Sequence, residues 1–312
     1  MITVPGAFQN TTLAREAGPG AAWLAELPSL VDELLDTWSC VPVGEVTHGG
    51  VGLIVPVRRC GGEAAVLKVS YPHPGNSSEP DALGAWRGRG AVLLHERDDR
   101  RFAMLLERVH LQQLAQVAEG DEVVMVAGRI SRRLAVPAPA GMPRLQERAE
   151  GWEARLSADA AELGHPLAAR VVAAAVATVR ELGGCQPDTM IHGDLHARNI
   201  LRADREPWLA VDPKGLAGDR AYDGGTLLKT RALALMEADD IARAARRVVD
   251  VFADAAELDR VRVRRWAQFH AVQTALKSRL GGFRIARDGP LLGRITAFAD
   301  RLAEVLMDTP GV

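Results

Sequence analysis

The spacing of apolar residues changes character along this chain, and the change divides it into two parts. Across residues 21–38, Leu30, Val31, Leu34, Leu35 and Trp38 fall on one helix face, and Pro28 and Ser29 are placed to start that helix. Short β-branched runs follow at 41–47, 53–58 and 64–70, cut by a glycine cluster at Gly49, Gly50 and Gly52 and by a Gly61-Gly62 turn. This pattern predicts consecutive antiparallel hairpins. Tyr71-Pro72-His73-Pro74-Gly75 breaks the sheet, after which Ser77 or Ser78 can cap a short helix carrying Glu79, Leu83 and Trp86. Runs at 91–95 and 102–106 flank an Asp98-Asp99 turn and complete five strands, and the chain leaves through Glu107-Arg108-Val109. From Leu111 onward the period is helical except for two short runs at 199–202 and 208–211. The expected organisation is an α+β protein with a sheet lobe over residues 1–109, including a lead-in helix, and a helical lobe over residues 110–312.

Composition narrows the class of partner. The 312 residues carry 38 Lys+Arg against 40 Asp+Glu, with both signs interspersed, which gives no electrostatic footprint for nucleic acid and no basic tail for a membrane surface. Cys40, Cys60 and Cys185 are isolated, so neither a disulfide framework nor a cysteine zinc site is expected. The start of the chain lacks the pattern of a secretory signal, and no apolar run is long enough to span a bilayer. These features predict a cytoplasmic, monomeric protein acting on a small molecule.

The chemistry is concentrated in Ile191-His192-Gly193-Asp194-Leu195-His196-Ala197-Arg198-Asn199-Ile200-Leu201, followed by Asp212 at the end of the next apolar run. A His-Gly-Asp tripeptide alone is equally a turn with a capping aspartate. The longer string resembles the catalytic loop of the kinase superfamily, H-R-D-x-x-x-x-N, with glycine in place of arginine. In that resemblance Asp194 accepts the proton of the acceptor hydroxyl, Asn199 and Asp212 give oxygen ligands to Mg2+, ATP is the phosphoryl donor, and His192 orders the loop. His192 and His196 have the spacing of a zinc-protease helix, but without its glutamate, and no zinc is expected.

A kinase also needs a lysine for the nucleotide phosphates, and Lys68 at the centre of Ala64-Ala65-Val66-Leu67-Lys68-Val69 is the candidate. Strand alternation could equally turn it to solvent. Glu79 is its candidate partner, or else a first-turn residue that favours the helix dipole. Gly49, Gly50 and Gly52 would let backbone amides approach phosphates, although the third glycine of G-x-G-x-x-G is missing. Glu107 and Val109, where the lobes join, are positioned by the resemblance to meet adenine through their backbone.

The wording of the second motif, Asp212-Pro213-Lys214-Gly215-Leu216-Ala217-Gly218-Asp219-Arg220-Ala221-Tyr222-Asp223, resembles the aminoglycoside phosphotransferases, in the branch of streptomycin 6-kinases and hydroxyurea phosphotransferases. The resemblance implies a bilobal protein-kinase-like fold, a small antiparallel-sheet lobe on a larger helical lobe, with MgATP between them. It also implies a cationic aminoglycoside, streptomycin first, as acceptor. Hydroxyurea or another small alcohol is the alternative, and a catalytically inactive nucleotide-binding module is the alternative of another class. With no arginine before Asp194, no Ala-Pro-Glu string and Asp-Pro-Lys in place of Asp-Phe-Gly, activity without activation-loop phosphorylation is expected. Candidate substrate carboxylates are Asp159 and Glu162, in a stretch that also holds Glu147, Glu150 and Glu153, together with Asp223. A solvated helix face explains the first two equally, and a helix cap explains Asp223. Glu237, Asp239 and Asp240 read equally as a helix start.

Overall fold

The computed structural model describes residues 2–117, 119–283 and 288–307. Helix α1 (Gly6–Thr37) buries Leu27, Val31, Leu34 and Leu35 as the period predicts, but it starts far upstream of residue 21 and Pro28 lies inside it. It is two helical pieces meeting at Ala17, where φ is 50° and ψ −128°. The earlier piece is anchored by Phe8, fully buried in the core under the sheet, an anchorage that the local pattern does not show.

Strands β1 (Cys40–Pro42), β2 (Thr47–His48), β3 (Gly52–Arg59), β4 (Ala64–Ser70), β5 (Leu94–Asp98) and β6 (Ala103–Glu107) form one antiparallel sheet in the order β1-β3-β4-β6-β5, with β2 paired to β3. The sheet thus has six strands, not five. The run at 41–47 divides because Pro42 has no amide hydrogen to continue a ladder, and the two pieces pair with opposite ends of β3. Helix α2 (Glu79–Trp86) begins where expected, though no cap bond is made by the Ser78 side chain. Alternation gives the sheet two faces. Ala65, Leu67, Val69, Ala103 and Leu105 pack under α1, whereas Met104 and Leu106 join Leu83 and Trp86 in the core of the larger lobe.

The helical lobe contains α3 (Leu114–Val117), α4 (Gly120–Arg133), α5 (Leu145–Ala149), α6 (Trp152–Glu162), α7 (Ala169–Thr178), α8 (Ala221–Thr230), α9 (Ala232–Met236), α10 (Ile241–Ala256), α11 (Arg260–Gly281) and α12 (Gly289–Val305). Between α7 and α8 lie two small antiparallel ribbons. One pairs β7 (Met190–Ile191) with β10 (Leu216–Ala217), and within it β8 (Ile200–Arg202) pairs with β9 (Trp208–Ala210). The outer ribbon is absent from the sequence expectation because two-residue strands carry no measurable period. Of the Glu237, Asp239 and Asp240 cluster, Asp240 caps α10 by accepting from Arg243 N at 2.9 Å, whereas Glu237 ends α9 and pairs with Arg294. No helix among the described residues is long and apolar enough to cross a membrane.

Helices α4 and α10 approach closely at Gly128, where a Cβ would lie 2.7 Å from Ala255 Cβ and 2.9 Å from Phe252 O. Overpacking a tight core contact costs about 1–3 kcal/mol. Gly128→Leu should therefore lower the thermal midpoint by several degrees; an unchanged melting curve would contradict the packing described.

Candidate active site

Lys68 sits opposite Ile54 on β3 and Met104 on β6, and alternation turns it away from the α1 core. Its side chain is only 8% exposed. The ammonium donates to Glu79 Oε1 at 2.6 Å, to Glu79 Oε2 at 2.8 Å and to Asp212 Oδ1 at 2.8 Å. The solvent-facing alternative for Lys68 is thereby removed. Burial alone would lower the ammonium's pKa, but the Asp212 and Glu79 carboxylates outweigh it and hold the group above the usual lysine range. Lys68 in turn holds Asp212 well below the usual carboxylate range. Asp212 has a left-handed backbone, φ 57°, a conformation that aspartate tolerates better than most residues.

The catalytic-loop string leaves β7 into a turn secured on both sides. His192 is fully buried; its Nε2–H donates to Val211 O at 3.0 Å, and its Nδ1 accepts from Asp194 N at 3.3 Å. Burial lowers its pKa to about 4, so the ring is neutral at physiological pH, as one donating and one accepting nitrogen require. Lys214 N donates to His192 O at 2.8 Å and Val211 N to Asn199 O at 2.9 Å. These bonds tie the loop of Asp194 and Asn199 to the segment carrying Asp212. Asn199 Nδ2 donates to Asp194 O at 3.1 Å, which leaves the amide oxygen as the end available to a cation.

Gly193 explains the departure from H-R-D. Its φ is 80°, and a Cβ there would lie 3.0 Å from both Leu216 Cδ1 and Lys214 Cβ, so an arginine would be strained and crowded.

Asp223 corrects the sequence expectation. It is buried in the first turn of α8, its Oδ2 accepting from His192 N at 3.0 Å and its Oδ1 from Gly193 N at 2.9 Å. Burial pushes its pKa up to about 7 against the pull of those amides. Both oxygens are committed to the catalytic loop, so the residue positions backbone instead of meeting a substrate. Asp194 itself keeps a side chain 33% exposed, and one oxygen lies 3.8 Å from His196 Nε2.

The remaining candidates are placed as follows. Gly49 N donates to Gly52 O at 2.8 Å, closing the glycine turn beside β3. The Glu107 amide is already used, donating to Leu93 O at 2.9 Å, and its carboxylate pairs with Arg205 at 2.9 Å. Val109 is half-buried against the larger core. Asp159 lies 3.9 Å from Arg155 one turn away on α6, and Glu162 is exposed on the same helix.

A cavity of about 770 Å³ opens beside the loop, bounded by His196 and Arg198, by Lys229 and Arg231, and by His270 and Lys277 on α11. Among the described residues that line it there is no carboxylate. Asp159 and Glu162 are not among its lining residues, although the Asp159 carboxylate is near enough to act electrostatically on Lys277. Of these residues His196 and Arg198 belong to the catalytic-loop string, whereas Lys229, Arg231, His270 and Lys277 carry no motif. Their one visible signal was His270, a titratable group inside the otherwise core-like Trp266-Ala267-Gln268-Phe269-His270-Ala271. Its Nε2 is buried without a partner.

Hard oxygen donors at Asn199 and Asp212 fit a magnesium ion whose other ligands come from phosphates. No group of three or more His, Cys, Asp or Glu side chains among the described residues is arranged to hold a metal alone, and His192 makes other bonds.

Residues 37–282 match a protein family described as aminoglycoside/hydroxyurea antibiotic resistance kinase. The chain is 38% identical over 259 residues to a streptomycin 6-kinase of Streptomyces glaucescens, covering 82% of this chain and 84% of that protein. It is 34% identical over 280 residues to a hydroxyurea phosphotransferase of Kitasatospora aureofaciens, covering 88% and 80%. Among solved structures, an amicoumacin kinase in complex with AMP-PNP and Ca2+ superposes with a TM-score of 0.56 at 11% identity, over 88% of this chain and 93% of that one. At that identity the likeness concerns the fold, which is the bilobal kinase fold. The protein is a phosphotransferase, and the chain belongs to the aminoglycoside/hydroxyurea antibiotic resistance kinase family.

Proposed function

We propose that the protein transfers the γ-phosphoryl group of ATP to a hydroxyl of an aminoglycoside, with streptomycin as the leading acceptor. The observation that carries this reading is the joining of Lys68, through Asp212, to the loop that holds Asp194 and Asn199. In it, Lys68 binds the α- and β-phosphates and is itself oriented by Glu79. Asn199 and Asp212 would hold Mg2+, which neutralises phosphate charge when bound. Asp194 accepts the acceptor's hydroxyl proton as the oxygen bonds to the γ-phosphorus, and the bridging oxygen leaves with its electron pair on ADP. Asp223 and His192 fix the backbone around Asp194. Cys40, Cys60 and Cys185 are free thiols, which supports action in the cytoplasm, and we take the working unit to be a monomer.

A second acceptor, hydroxyurea, is favoured by one observation. The described residues that line the cavity beside the loop include Arg198, Lys229, Arg231 and Lys277 and no carboxylate, a charge balance that disfavours a polycation more than a neutral molecule. Incubation with MgATP and each compound separates the readings. Streptomycin gaining one phosphate by mass supports the first, hydroxyurea alone gaining it supports the second, and turnover of neither rejects both acceptors.

Two further outcomes follow from the loop. Asp194→Ala should reduce kcat by about 10²–10⁴-fold, the range for a positioned acid or base, while MgATP binding survives; near-normal turnover would contradict the role. His192 is neutral and buried, so between the ordinary imidazole value of 6.5 and about 4 the unfolded chain binds a proton that the folded chain does not. Its contribution to stability is therefore lost as pH falls through that window. Thermal midpoints measured across it should show a shallower acid-side decline in His192→Asn than in the parent protein. Parallel declines would mean that His192 titrates normally.

A further inference from the structure

The family match begins at residue 37, yet the preceding helix reaches the glycine turn. Arg15 Nη1 donates to Gly50 O at 2.8 Å, and Arg15 also pairs with Glu16. The contact is braced on both sides. Phe8 packs on His48, 5.4 Å between ring centres, where the chain enters the turn. Trp23 packs edge-on to Tyr71, also at 5.4 Å, and Tyr71 N donates to Val51 O at 2.9 Å. Between these two aromatic contacts the helix breaks at Ala17, with φ 50° and ψ −128°. A non-glycine residue in such a conformation costs about 1–3 kcal/mol and persists only where its surroundings impose it. The break lets both helical pieces lie on the sheet with Arg15 above the turn.

The consequence follows from peptide geometry. In a trans peptide the carbonyl and the following N–H point in opposite directions, so fixing Gly50 O toward Arg15 turns the Val51 N–H away from α1. That direction is toward the other side of the sheet, the side of Lys68, because α1 covers the face of Leu67 and Val69.

We propose that Arg15 is a positioning residue for the nucleotide: it straps the glycine turn so that the Val51 amide is presented to the triphosphate. This rests on the reading that the turn lies over the phosphates of ATP. Arg15 acts through backbone and has no contact with the reacting atoms.

The test is calorimetric titration of the full chain with MgATP and, separately, with adenosine, which has no phosphates. Arg15→Ala should weaken MgATP about tenfold, the loss of one hydrogen bond to a charged donor, and leave adenosine unchanged. KM for ATP should rise with little change in KM for the acceptor. Arg15→Lys, which keeps a long side chain ending in a charged donor, should restore part of the loss. Unchanged MgATP affinity in Arg15→Ala, an equal loss for adenosine, or no recovery in Arg15→Lys would each overturn the strap while wild-type binding of MgATP keeps the nucleotide reading intact. Wild-type protein that binds no MgATP would overturn both.

Discussion

A single buried ammonium holds this structure's two halves in register. Lys68 comes from a strand, Glu79 from the short helix beside it, and Asp212 from the turn after β9 in the other lobe, and all meet within 2.8 Å of one nitrogen. A buried ion pair is weak grounds for stability, since desolvation offsets most of the attraction. Its value here lies in geometry and in charge. Two carboxylates against one ammonium leave the cluster one unit negative, and Asn199, tied to the same segment, adds a neutral oxygen. In the proposed reading a divalent cation would be drawn to this negative, oxygen-bearing end of the cluster. Around the ion cluster, Ala91 bridges to Ala210, Val92 N donates to Ala210 O at 3.1 Å, and Trp86 Nε1 donates to Leu134 O at 2.8 Å. These apolar-framed contacts seat the sheet lobe against the helical lobe.

Asp194 is held by the same logic at one remove. Few atoms touch its carboxylate, but the peptides on either side are fixed by His192 and Asp223, both buried. In the proposed mechanism this leaves the reactive group accessible while its backbone cannot drift. Asp223 is positioned in turn by α8, whose packing against α11 includes Trp266 stacked edge-on to Tyr222 at 5.5 Å. The helical core thereby sets the aim of the loop.

Local signals made part of this legible. The strand around Lys68 reads as a strand because its apolar neighbours alternate, and Glu79 falls on a helix whose start is marked by turn residues. The catalytic-loop string is contiguous, so it survives without tertiary information. Other features depend on partners far along the chain. The upstream half of α1 lies outside the helix that the pattern over 21–38 predicts, and it is anchored by Phe8, buried in the core under the sheet. Asp223 displays a carboxylate, but its partners are amides about thirty residues earlier. The basic cavity draws Arg198, Lys229, Arg231 and Lys277 from separate segments, and each alone is an ordinary surface cation.

The central claim is that Lys68 and Asp212 act as one unit across the lobes. A double-mutant cycle on MgATP affinity, using Lys68→Met, Asp212→Asn and the double variant, measures this directly. The account predicts effects that fail to add by about 0.5–3 kcal/mol, the range for directly contacting residues. Additive losses would mean that the two side chains serve the nucleotide independently, and the account would be wrong.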